Sequence, residues 1–88
     1  MYETIGFLEL NSIAKGIEAA DAILKAADTD LIFARAGCPG KYYILFTGEV
    51  AAVTAAIERA KDGAGENGMF LDSAVIPHPD EKMWRSIL

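Results

Sequence analysis

Apolar and polar positions along the chain change period several times, and each change marks an element. Thr4–Leu10, Asp30–Ala36, Lys41–Thr47 and Met69–Ile76 are short runs rich in Ile, Leu, Phe, Tyr and Val with no internal proline, which predicts four strands. Between the first two runs, Ile13, Ile17, Ala20, Leu24 and Ala27 recur at steps of four and three. That spacing predicts a helix after Ser12, its N-cap, with these residues on its buried face. Lys15, Glu18, Asp21 and Lys25 fall on the opposite side, Asp21 and Lys25 in the favourable i,i+4 order. A second helix is expected from about Gly48 to Asp62, with Val50, Val53, Ile57 and Ala60 as its stripe. Thr47 or Gly48 caps it, Arg59 and Lys61 sit near its negative end, and Gly63 and Gly65 stop it.

Four residues, Gly37-Cys38-Pro39-Gly40, separate the second and third strands and so predict a hairpin. The order is then βαββαβ, an α+β chain of the ferredoxin-like class with a four-stranded antiparallel sheet and two helices on one face. The other face must meet solvent, a partner or the C-terminal tail. In that tail Pro79 suits the first turn of a short helix, and Met83/Ile87 and Trp84/Leu88 form apolar i,i+4 pairs that need a docking surface.

Composition limits the function. The 88 residues make room for one domain, residues 1–88, with a thin core that association between copies would extend. A net charge of −5 and the lack of any Lys/Arg cluster argue against nucleic-acid binding. No apolar run approaches the roughly 20 residues that span a bilayer, and no basic leader precedes an apolar core, so a soluble, cytoplasmic protein is expected. One cysteine, Cys38, cannot form an internal disulfide, which agrees with a reducing compartment.

Catalytic signals are weak. Gly63-Ala-Gly65-Glu-Asn-Gly68 spells GxGxxG, but it closes a helix and precedes a strand, the reverse of a dinucleotide loop, and Glu66 would repel phosphate. Cys38 and His78 have no third group to orient the histidine, and the carboxylates show no acid–base spacing. The hairpin loop is more informative: Gly37 and Gly40 tolerate positive φ and Pro39 is rigid, so Cys38 is presented on a tight turn. One thiol cannot hold a zinc ion or an iron–sulfur cluster, which take about four ligands, but a symmetric assembly with its axis near this loop could supply the others.

Ile5-Gly6-Phe7-Leu8-Glu9-Leu10-Asn11-Ser12, Ile17-Glu18-Ala19-Ala20-Asp21-Ala22 followed by Lys25, Thr47-Gly48-Glu49-Val50, and Ser73-Ala74-Val75-Ile76-Pro77 together resemble bacterial microcompartment (BMC-domain) shell proteins over nearly the whole chain. The resemblance implies a non-enzymatic shell component that forms cyclic hexamers, tiles with other shell proteins into facets, and passes small metabolites through a pore lined by Gly37, Cys38, Pro39 and Gly40. Arg35 and Lys41 would flank that pore, and the Ala-rich helices would pack copies together. Cys38-Pro39-Gly40-Lys41 and Glu81-Lys82-Met83-Trp84-Arg85 resemble tandem-domain shell proteins of propanediol-utilising compartments, in which cysteines from three subunits hold a [4Fe–4S] cluster. A cluster shared between copies through Cys38 is therefore an expectation, with the difference that one domain per chain brings six thiols to the axis in place of three. Lys25 matches the family's lysine at hexamer edges. His78 stands between two prolines where the family usually has an arginine, and its shorter, mostly neutral side chain cannot reproduce the arginine's forked contacts. The alternative reading is a small-ligand-binding regulatory domain of the same topology, with ligand held between subunits.

Overall fold

The computed structural model describes residues 4–26, 28–65, 68 and 70–87. The elements follow the expected order: β1 (Thr4–Leu10), α1 (Ile13–Ala26), β2 (Thr29–Gly37), β3 (Lys41–Gly48), α2 (Val50–Gly65), β4 (Phe70–Pro77) and α3 (Glu81–Ile87). The strands form one antiparallel sheet in the order β2-β3-β1-β4, the ferredoxin-like arrangement. Ala27, Glu66, Met69 and Leu88, which enter the sequence expectations, lie outside the described residues.

Caps set the helix starts. The Lys15 amide donates to Ser12 Oγ at 3.1 Å, and the Gly16 amide to the Ser12 carbonyl at 2.9 Å, as an N-cap requires. For α2 the expected caps are displaced. The Val53 amide donates to the Glu49 carbonyl at 2.9 Å, so Glu49 occupies the cap position. Thr47 is committed to the sheet instead, its buried hydroxyl donating to the Thr4 carbonyl at 2.8 Å. The helix also continues through Gly63 to Gly65, which leaves Arg59 and Lys61 short of its last turn. Asp80, not Pro79, begins α3: its carboxylate accepts from the Lys82 amide at 2.8 Å, and its carbonyl from the Met83 amide at 2.8 Å.

The core lies between one face of the sheet and the two long helices, with α1 over β3 and β2 and α2 over β1 and β4. Leu8 and Leu10 of β1 and Ile44 and Phe46 of β3 project into it and meet Val53, Ala56, Ile57 and Ala60 of α2. Three of the four residues in the predicted α2 stripe are thus buried, and Val50 is exposed.

The predicted α1 face is corrected in part: Ala20 is buried as expected, but Ile13, Ile17 and Leu24 are not. Gly16, Ala19, Ala20 and Ile23 are the buried residues, whereas Ile13, Ile17 and Leu24 are 42%, 56% and 45% exposed. At about 100° per residue the three exposed residues share an arc of about 40°, beside the buried arc and not at its centre. Small residues explain the choice. A Cβ on Gly16 would overlap the Tyr42 ring, so only glycine lets α1 settle this far onto β3. Ala19 and Ala20 join Ala56 and Ala60 in the shared core, and the two helices pack against each other there. These four alanines are therefore used within one chain, while Ala14, Ala51 and Ala55 stay exposed on the same helices.

Gly16→Val should destabilise the fold by about 1–3 kcal/mol, because the added carbons must displace the Tyr42 ring or lift the helix. Thermal unfolding followed by circular dichroism should show a melting temperature several degrees lower, and an unchanged one would contradict this account of how α1 is seated.

Candidate functional site

The register divides the sheet into two ends. Gly37 pairs with Lys41 at one end, where the hairpin loop projects. At the other end Thr29, Gly48, Thr4 and Pro77 form a single cross-strand row. The span from Lys41 to Gly48 is about 23 Å at the usual strand rise.

At the loop end Cys38, Pro39 and Gly40 are exposed, and the Cys38–Pro39 peptide is cis. Gly40 has φ +66° with open space where a Cβ would stand, so its glycine answers a backbone need and not a packing one. Gly37 is the reverse case: the Tyr43 ring lies where its Cβ would be. Tyr43 in turn stacks with Phe7, ring centroids 6.2 Å apart, so the base of the loop rests on an aromatic pair in the sheet. Arg35 is exposed, its guanidinium 4.2 Å from the centre of the Phe33 ring, and Lys41 is half-buried.

Lys25 and His78 belong to the other end. Lys25 is in the last turn of α1, just before β2 begins, and His78 directly follows β4. The structure thus groups Gly37, Cys38, Pro39, Gly40, Arg35 and Lys41 around one end of the sheet and sends Lys25 and His78 to the other. His78 is exposed with φ +47°, unusual for a residue with a side chain, and sits between two prolines. Lys25 Nζ is 2.8 Å from Asp21 Oδ2, as the i,i+4 spacing predicts. The hydrogen bond to Asp21, and then its negative charge, hold the Lys25 amine above its ordinary value of 10.5. Among the described residues no group of three or more His, Cys, Asp or Glu side chains could hold a metal ion. No helix among them is long and apolar enough to cross a membrane.

Sequence reasoning missed the exposed stripe of Ile13, Ile17 and Leu24. The signal was present in Gly16, Ala19 and Ala20, three small residues marking the side of close approach, beside larger ones left over.

A family model described as BMC domain matches residues 4–79. The bacterial microcompartment shell protein PduT of Citrobacter freundii is 46% identical over 78 residues, which cover 89% of this chain and 41% of that protein. The shell protein PduA of Salmonella typhimurium is 32% identical over 77 residues, covering 88% of this chain and 82% of PduA. Among solved structures, a microcompartment protein from Desulfitobacterium hafniense DCB superposes with a TM-score of 0.88 at 45% identity, over 99% of this chain and 47% of that one. The chain therefore spans less than half the length of PduT and of the Desulfitobacterium protein.

Since the Lys25 shift is upward, the contribution of its pairing to stability is complete below pH 10.5 and is lost as pH rises through the higher folded value. NMR titration should place the Lys25 ammonium midpoint above its ordinary 10.5, and Asp21→Asn should bring it down. An unchanged midpoint in that variant would remove Asp21 as the cause.

Proposed function

The chain belongs to the BMC-domain family of bacterial microcompartment shell proteins, and from that premise we propose that it assembles into cyclic hexamers that tile with other shell proteins. Its work is structural and selective, with no catalytic step. The observation that carries this reading is the Ile13, Ile17 and Leu24 stripe, three large apolar side chains left exposed on a folded chain whose core is small. Covering them against a neighbouring copy would stabilise the ring by about 1 kcal/mol for each side chain. Leu31, on the helix-facing side of edge strand β2, and Val50, at the start of α2, are also exposed and extend the apolar surface available to neighbours.

In such a ring the Gly37–Gly40 loop faces the axis and Lys25 and His78 face the rim, the division that the two ends of the sheet support. The loop borders a pore for small metabolites. Repetition of Arg35 and Lys41 around the axis turns an acidic chain's few cations into a local positive field, favouring anionic solutes. At the rim Lys25 supplies a positive charge, and His78 a shorter side chain in place of the family's arginine.

Cys38 is the residue of this chain that would hold an iron–sulfur cluster at the axis. A single chain offers one exposed thiol, so several copies would have to contribute ligands. The group, when bound, supplies one-electron transfer; the loop's part is to hold the thiol outward on a rigid turn.

Ile17→Glu or Leu24→Glu should leave the secondary structure intact and shift the protein from closed oligomer to monomer in light scattering. A stable monomer in the wild type, or full assembly in both variants, would refute the ring reading. Anaerobically purified protein should contain iron and acid-labile sulfide that Cys38→Ser removes. Their absence from the wild type would end the cluster assignment and leave the pore intact.

A further inference from the structure

Leu8, Leu10, Ile44 and Phe46 project toward the helices, so by alternation Ile5, Phe7 and Glu9 of β1 and Tyr43, Leu45 and Thr47 of β3 project from the outer face of the sheet. Burial on that face changes along the strands. Glu9, Tyr43 and Phe7, toward the hairpin loop, are half-buried, whereas at the other end Leu45 is 6% exposed, Ile5 1%, and Thr47 fully buried. The two long helices cover the inner face, and neither Ile5 nor Leu45 belongs to the core beneath them. Among the described residues α3 is the one element left to cover the outer face, and it enters at the buried end. Ile76 pairs with Ile5 and Pro77 with Thr4, after which the chain leaves the sheet for α3. The seven residues of α3 span about 10 Å. That length covers one end of strands about 23 Å long and leaves the loop end open, as the burial pattern requires.

Of the α3 side chains described, Trp84 alone is half-buried, while Met83 beside it is 40% exposed and Glu81, Lys82, Arg85 and Ser86 face solvent. Its indole is the large apolar group that α3 brings to Ile5 and Leu45. A helix this short has little stability of its own and depends on that seat. The connection works against it. His78 has φ +47°, a conformation that residues with side chains rarely adopt, and it precedes Pro79, whose ring favours an extended backbone at the residue before it. Extending His78 relieves the strain and carries α3 off the sheet, whereas keeping the turn buries Ile5 and Leu45. Apolar burial and a strained hinge therefore pull α3 in opposite directions.

We propose that α3 is a hinged strap, shut by Trp84 over Ile5 and Leu45 and opened by extension of His78, so that an apolar seat at the Lys25 and His78 end of the sheet is covered or presented. The position of the strap is set at His78, an exposed residue outside the core. It works within one chain and stands whether or not a ring forms.

Trp84 is the only tryptophan of the 88 residues, so its fluorescence reports the strap directly. In the wild type, acrylamide should quench Trp84 less than in the urea-unfolded chain. His78→Gly, for which positive φ carries no steric cost, should lower the quenching further and shift emission to the blue. His78→Val, whose branched side chain opposes positive φ more strongly than histidine, should raise the quenching, shift emission to the red and increase binding of a hydrophobic dye. Circular dichroism checks that each variant is folded, and light scattering should give all three proteins the same mass. Equal quenching in the three, or the reverse order, would overturn the proposal. So would a folded wild type whose Trp84 is as accessible as in urea, or a change in quenching that follows a change in mass, since the cover would then be a neighbouring copy.

Discussion

How closely α1 can approach the sheet decides most of what this molecule presents to its surroundings. Gly16 beneath the Tyr42 ring removes the one Cβ that would hold the helix away, and Ala19 and Ala20 bring it against the alanines of α2. Small side chains give little transfer energy themselves, but they allow the dense packing on which a thin core depends. Seating the helix on its small residues turns its large ones outward. The apolar stripe offered to a neighbouring copy is thus a consequence of the way the monomer packs its own core.

The same economy governs the sheet. Its inner face is covered by helices, and its outer face carries aromatic rings with charges arranged at opposite edges. Tyr43 serves both the outer face and the hairpin: its ring stacks on Phe7 and fills the space beside Gly37, so the loop leaves a supported platform. A rigid loop at one end and charged side chains at the other give the domain a direction along its strands. A pore and a rim require that direction of any subunit arranged around an axis, because the residues lining the centre must be separated from those meeting the next ring.

Much of the fold was legible in advance. β-rich runs, Ser12 as a cap, the four-residue hairpin and the alternation of helix and strand lead to the observed element order, and the motif residues lead to the family. The loop of Gly37, Cys38, Pro39 and Gly40 was also visible, since its residue types announce an unusual turn. Cap positions were less so: Thr47 is a good N-cap by type, yet a buried carbonyl at Thr4 captures its hydroxyl. Local preference gave way to a partner 43 residues distant.

By itself the sequence determined which segments become strands and helices, because those preferences depend on neighbours a few positions apart. It also determined the chemistry available, with one thiol and eight Lys and Arg side chains against thirteen carboxylates. Tertiary structure alone decided which side of α1 is buried, since apolar and small residues occupy more of its circumference than one contact can cover. Only strand register, set between segments far apart in the chain, aligned Asp72, Glu9, Tyr43 and Arg35 in one row. Periodicity can report that a helix has an apolar side or that a strand has two faces. Choosing between sides, and matching residues across strands, requires the contacts that form when the pieces meet.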